Sequence, residues 1–280
     1  MLFIFELLVV FLLGLCVGSF LNVIIFRLHR NEQWQRGRSH CGTCNTALTI
    51  KDLIPLVSFL VLKGTCRYCK APLSPQYPFV ELAMGVLVVV AYLAILSEFQ
   101  AQSLSMILAI GTLFPVLVFV KNIFFLGILL VIFVTDLRWF AIYDSVVLTG
   151  CALALAAHLL MPPLFSPHYI LPAWLNLGVA ALVPTAFFGA QYVVSSGKWI
   201  GGGDILLGGM MGLMLGWPQV LVALFIAYCT GSIIGIALIA AGKKSRGSEV
   251  PFGTFLTAAT ATMLLIGDPI MAFVNRTLLL

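Results

Sequence analysis

Two groups of residues in this 280-residue chain have types and spacings that could do chemistry. The first is a set of cysteines: Cys41 and Cys44 in "CGTC", then 21 residues, then Cys66 and Cys69 in "CRYC". Two CxxC pairs can close a tetrahedral tetrathiolate site, and zinc suits that site best. The gap between the pairs slightly exceeds the usual zinc window. Four protein ligands leave no open position, so such a zinc would be structural. Disulfides and free thiols are the alternatives, and disulfides are disfavoured in a cytosolic segment. His29 and His40 read as solvated bystanders, with His40 a remote substitute ligand. Cys16, Cys151 and Cys229 are scattered in apolar runs and read as packing residues.

The second group is two aspartates. Asp136 lies in "IFVTDLRWFAIYD" and Asp204 follows three glycines in "SGKWIGGGDILLGGMMG", residues 196–212. An ionisable side chain beside a long apolar run is costly and usually functional. Two carboxylates that approach closely cannot both ionise easily, so the pair shares one proton, as in aspartyl proteases. One member takes a proton from water while the other donates to a scissile carbonyl oxygen. Gly201, Gly202 and Gly203 have no side chains to obstruct a substrate strand, and they tolerate positive φ. The same residues also fit blander roles. Asp204 and Asp136 could be helix caps, Asp136 could pair with Arg138, and Asp144 reads as the cap of the next helix. Two intramembrane carboxylates could also form a transporter's proton relay.

The elements that must position these groups are helices in lipid. The chain is 61% hydrophobic and 9% charged, which excludes an ordinary soluble domain and points to an all-α polytopic membrane bundle. Apolar runs at 2–27, 79–97, 104–120, 122–135, 145–161, 173–195, 203–216, 218–241 and 253–272 are each near a bilayer's thickness. Parity argues that 104–135 is one element, kinked near Pro115 or partly re-entrant, which leaves about eight spans. Eight of the 15 Lys and Arg fall between Arg27 and Lys70, so the positive-inside rule places residues 28–78 in the cytoplasm and the N-terminus outside. "GKKSR" is a second cytosolic turn, and counting back from it puts Asp204 and Asp136 at cytosolic helix ends. The domain reading is a first transmembrane helix (1–27), a zinc-binding cytosolic loop (28–78) and a transmembrane peptidase part (79–280). No nucleic-acid motif accompanies the basic cluster, and no internal repeat is evident.

Taken in order, five segments resemble the type IV prepilin peptidases, the leader peptidases of the GxGD membrane aspartyl protease class. They are "GSFLNVIIFRL" (18–28), the whole loop from Cys41 to Leu82, "DLRWFAIYD" (136–144), "GGGD" (201–204) and "PFGTFL" (251–256). The resemblance implies that Asp136 and Asp204 are the catalytic pair. It implies a bacterial inner-membrane enzyme whose substrate is a prepilin or pseudopilin, cut at the cytosolic face between a basic leader and an apolar helix. It further implies methylation of the new N-terminus with S-adenosylmethionine, for which no nucleotide fingerprint is visible. The chain departs from the family at Leu206, where a lysine is usual, and at Tyr143 and Leu53. Lys198 or Arg138 could supply the missing cation. Glu32, Asp52, Glu81 and Glu249 could contact a basic leader or be solvated charges. Gly208, Gly209, Gly212 and Gly216 could admit a substrate helix or pack the enzyme's own helices. A proton-coupled transporter and a non-catalytic assembly platform are the competing classes.

Overall fold

The computed structural model describes residues 1–33, 37–101, 113–160, 172–245 and 250–278. The all-helical expectation is met. The elements are α1 (Leu2–His29), α2 (Val57–Val61), α3 (Gln76–Ala101), α4 (Leu113–Trp139), α5 (Asp144–Leu160), α6 (Ala173–Ser195), α7 (Gly202–Leu215), α8 (Gln219–Ala240) and α9 (Phe252–Leu278). Among the described residues, six of these are long and apolar enough to cross a membrane, and α5 and α7 are shorter apolar helices.

The runs 104–120 and 122–135 do not form separate spans. Residues 104–112 lie outside the described part, and from Leu113 onward α4 is continuous through Lys121 and Asn122. These two polar residues broke the hydropathy pattern without breaking the helix. The Lys121 ammonium lies 5.6 Å from the Phe125 ring centre, a favourable cation–π placement, and Asn122 is buried. Pro115 lies near the beginning of the described part of α4.

The chain divides into two compact units, Met1–Val131 and Ile132–Leu280. In the first, α1 and α3 meet almost backbone to backbone. A Cβ on Gly14 would lie 2.7 Å from Gly85 Cα, and one on Gly18 would lie 2.7 Å from Glu81 Cα. A Gly-xxx-Gly stripe of this kind lets apolar helices approach closely in lipid. Cys16 is exposed on α1 and so is not packed in the core; Cys151 and Cys229 are half-buried.

In the second unit, α7 packs on α5, α6, α8 and α9. Its Leu207, Met210 and Met211 are fully buried. Three of its glycines serve this packing. A Cβ on Gly208 would meet Phe188 at 2.6 Å, one on Gly209 would meet Thr185 Oγ1 at 2.8 Å, and one on Gly212 would meet the Ala180 carbonyl oxygen at 1.8 Å. Gly216 ends the helix at φ +76. The obstacle at Gly212 is backbone, which cannot rotate away. Gly212→Ala is therefore expected to lower the thermal unfolding midpoint in detergent, at roughly the 3 kcal/mol upper end of ordinary overpacking. Gly209→Ala, which meets a movable hydroxyl, should cost clearly less.

Candidate active site and metal centre

The four loop cysteines converge. Their Sγ atoms all lie within 4.8 Å of one another, and Cys41 and Cys69 are 3.9 Å apart. A zinc tetrahedron with Zn–S bonds of about 2.3 Å has edges of about 3.8 Å, so the thiols sit close to ligating geometry. His40 is outside the cluster.

The two CxxC turns are copies of each other, a repeat that was not evident in the sequence. The Cys41 N–H donates to Thr46 O and the Asn45 N–H to Cys41 O; the Cys66 N–H donates to Ala71 O and the Lys70 N–H to Cys66 O. Asn45 and Lys70 take matching positive φ of 54 and 59. One isolated β-bridge closes each turn, His40 with Ala47 and Thr65 with Pro72. The first thiol of each pair follows the same symmetry; the second does not, with Cys44 lowered by Thr46 and Cys69 pushed up to about 11 by burial and the neighbouring thiols. Amides of Cys44 and Thr43 lower Cys41 below the ordinary thiol range, and amides of Cys69 and Tyr68 do so for Cys66. Amide donors favour the thiolate, which is the ligating form.

Asp52 is a structural residue of this loop. Its carboxylate pairs with Arg67 and accepts hydrogen bonds from the Thr49 N–H, the Thr49 hydroxyl and the Tyr68 hydroxyl. The Arg67 guanidinium holds its carboxyl well below the usual carboxylate range. A lowered folded-state value means that this stabilisation is present above about pH 4, the ordinary carboxylate value, and is lost only as pH falls through the lower one. Neither Asp52 nor the buried Glu81 is a solvated surface charge. Glu32 is exposed beside Arg30, 4.0 Å away, and Glu249 lies outside the described residues.

Asp136 lies in the last turn of α4 and Asp204 in the first turn of α7. Both residues are 5% exposed, and the Asp136 charge reaches Asp204. Asp136 Oδ2 accepts the Thr254 N–H at 2.6 Å and the Thr254 hydroxyl at 3.0 Å. Asp204 Oδ2 accepts the Gly201 N–H at 3.0 Å, so the capping role is real. Its Oδ1, however, is buried and has no hydrogen-bond partner among the described residues.

Ile142 joins the two turns. A Cβ on Gly203 would meet Ile142 Cβ at 2.8 Å, and one on Gly253 would meet Ile142 Cδ1 at 2.9 Å and Asp136 Oδ2 at 3.0 Å. Gly253 is thus bare because the aspartate occupies the place of its side chain. The three glycines before Asp204 divide: Gly201 and Gly202 are exposed, whereas Gly203 is closed by Ile142. None of them uses positive φ; Ser196 and Gly197 do, just upstream.

Among the described residues, no cation joins the pair. Asp136 is held by Thr254 and not by Arg138, whose guanidinium lies 5.2 Å from the Trp139 ring centre. Lys198 is exposed. Leu206 is 40% exposed and sits two positions beyond Asp204, about 200° around the helix. A lysine there would point away from the carboxylate, so its replacement strips Asp204 of no neighbour.

Thr254, Gly253 and Ile142 were not singled out as site residues from the sequence; their signals were the segments "PFGTFL" for Gly253 and Thr254 and "DLRWFAIYD" for Ile142. Behind them, Tyr228 exchanges hydrogen bonds with Gln191 at 2.9 and 3.1 Å and packs on Phe252 at 4.9 Å. Thr254→Val removes one of two donors to Asp136 and leaves the backbone N–H. Loss of a hydrogen bond to a charged group costs about 1.5–3 kcal/mol, so turnover should fall by roughly tenfold or more, read as a rate on a substrate of the second unit's carboxylate pair.

Comparison with known proteins bears on both groups of residues. The Bacterial Peptidase A24 N-terminal domain model matches residues 12–95, which include the four cysteines. The Type IV leader peptidase family model matches residues 123–236, which include Asp136 and Asp204. A prepilin leader peptidase/N-methyltransferase of Legionella pneumophila is 31% identical, over 95% of this chain and 93% of its own. Proteins of the same name from Bacillus subtilis (28% identical, 95% and 96% covered) and Aeromonas salmonicida (29%, 96% and 94%) are similarly related. No solved structure matches. With both family models matching and a relative 31% identical over more than nine-tenths of both chains, the chain belongs to the type IV leader peptidase family.

Proposed function

We propose that this protein is a multi-pass membrane aspartyl endopeptidase that removes the basic leader from type IV prepilins and pseudopilins and then N-methylates the new N-terminus. The observation that carries the peptidase reading is the pair of buried carboxylates at α4's end and α7's start, one of them with an oxygen left unpartnered. Asp136 is fixed by two donors from Thr254, and Asp204 Oδ1 is free to hold the attacking water or to donate to the scissile carbonyl. The pair shares one proton. One carboxylate takes a proton from water as the oxygen attacks the carbonyl carbon, and the other gives its proton to the carbonyl oxygen. Collapse of the tetrahedral species breaks the C–N bond, and the leaving nitrogen takes up a proton. The exposed backbone of Gly201 and Gly202 is the place for an extended substrate strand.

The site faces the cytoplasm of the bacterial inner membrane on this reading, with the N-terminus outside. Lys244 Nζ lies 5.8 Å from the Phe140 ring centre, just beyond the end of α4. The basic turn therefore shares a membrane face with Asp136, and positive charge marks the cytosolic face.

Zinc is proposed as the occupant of the Cys41, Cys44, Cys66 and Cys69 site, in a loop domain spanning 28–78 between the first helix (1–27) and the peptidase part (79–280). The thiol spacing and the lowered Cys41 and Cys66 thiols fit it. S-adenosylmethionine supplies an electrophilic methyl group when bound. It would supply that methyl to the new N-terminal amine. Mass spectrometry of a co-expressed prepilin tests both activities: wild type should produce a leader-sized loss and a further gain of one methyl group. An intact precursor would refute the peptidase reading, and a shortened but unmethylated product would refute the methyltransferase one.

A further inference from the structure

Unit 1 contains a cavity of about 160 Å³ between the end of α1, the cysteine loop and the start of α3. We propose that this cavity binds the primary ammonium of an amino acid together with its neighbouring apolar or aromatic group, and that Glu81 and Asn22 receive the ammonium. The inference rests on the methyl-transfer reading, whose two reactants each carry such a group. One is the amino-acid end of the methyl donor, and the other is the newly exposed N-terminus.

The polar lining carries the argument. Asn22 is 2% exposed, and its amide nitrogen is committed to the Tyr77 carbonyl at 3.0 Å. That leaves Asn22 Oδ1 buried and unpartnered. Glu81 is 7% exposed, and its Oε2 accepts the Leu56 N–H at 2.8 Å, with Ser19 alongside. Among the described residues no cation pairs with it. A buried carboxylate without a cation and a buried carbonyl without a donor are both costly. An ammonium brings one charge and three donors, and so answers both.

Gly18 creates this arrangement by letting the Glu81 backbone lie against α1, one turn from Asn22. The remaining walls include Phe26 and Tyr77, stacked at 4.8 Å and 19°, Phe59, and Arg27, Arg30 and Arg67, which are engaged by the Gly37 carbonyl, Glu32 and Asp52. Aromatic faces favour a nearby cation and pack an apolar substituent. The volume is room for about ten waters, the scale of one amino-acid residue. The donor to Glu81 is itself unusual. Leu56 takes φ 58 and ψ −47, and the Val57 N–H donates across it to Pro55 O at 2.6 Å. Such a γ-turn is rare and strained, and strain of this kind collects at binding sites.

The test uses full-length, zinc-loaded protein in detergent and isothermal titration with two probes, S-adenosylmethionine and a short peptide with a free N-terminal phenylalanine. Each is paired with a partner lacking the amino-acid ammonium, methylthioadenosine and the N-acetylated peptide. At least one probe should bind, at least about tenfold more tightly than its partner, and the bound probe identifies the source. Glu81→Gln keeps an acceptor for the Leu56 N–H but removes the charge. It should weaken binding at least about tenfold while zinc content stays unchanged. Binding of neither probe, or equal binding of a probe and its ammonium-free partner, overturns the proposal. So does binding indifferent to Glu81→Gln in a zinc-loaded variant. Ammonium-dependent binding by a wild type that never methylates would instead sink the methyltransferase reading and leave the cavity assignment standing.

Discussion

Either Asp136→Asn or Asp204→Asn should abolish leader removal, lowering the cleavage rate by about 10³-fold or more, the range of general acid–base catalysis. Both substitutions preserve shape and an acceptor oxygen. In Asp136→Asn the side-chain amide oxygen can still receive the Thr254 N–H and hydroxyl, and in Asp204→Asn it can still receive the Gly201 N–H that begins α7. What is lost is the capacity to exchange a proton. The double variant should be no worse than either single one, because groups that act as a unit are not additive. The measurement is the intact mass of a co-expressed prepilin, with each variant's amount and thermal midpoint checked beside wild type. More than about a tenth of wild-type cleavage in either single variant would rule out the shared-proton mechanism. Methylation of a precursor supplied already shortened should survive both changes.

The second large effect is expected at the metal. Purified wild type should carry one zinc per chain, and Cys66→Ser should carry almost none. Cys66 is 3% exposed. Structural zinc is worth about 10–16 kcal/mol of apparent binding free energy in small zinc peptides, and here it organises a loop with few buried apolar residues of its own. Loss of one thiolate should therefore exceed the roughly 10–100-fold cost seen when an outer hydrogen-bond partner is removed. The loop should become a site of proteolysis between α1 and α3. Acid should do the same by protonating thiolates while the Asp52–Arg67 pair is still intact, because that pair persists below the ordinary carboxylate range. Zinc-free protein with a protease-resistant loop would refute the structural role.

The helices and the chemistry-bearing side chains were legible because their signals are local. Apolar runs of bilayer length and CxxC spacing need no knowledge of neighbours. Hydropathy alone split residues 104–135 into two runs for the same reason, and only helix parity argued for one element. Lys121 and Asn122 look like a boundary in a hydropathy window, yet ring contact and burial carry them inside α4. Thr254 could not be found this way, since its role comes from a partner 118 positions away. The matching of the two cysteine turns was hidden because it resides in φ angles and backbone hydrogen bonds. Asn45 and Lys70 share a conformation but no chemistry.

The glycine contact of α1 with α3 has a consequence for how the cysteine loop orders. Residues 30–75 are a chain segment whose two ends are already held together by those helices. A free segment of that length would give up roughly 3 kcal/mol of configurational freedom merely to bring its ends into register. Here the lipid-embedded pair has removed that freedom before any ion arrives. The two turns therefore meet at a raised effective concentration, and the loop within the whole protein should capture metal at lower free zinc than the same segment cut out as a peptide.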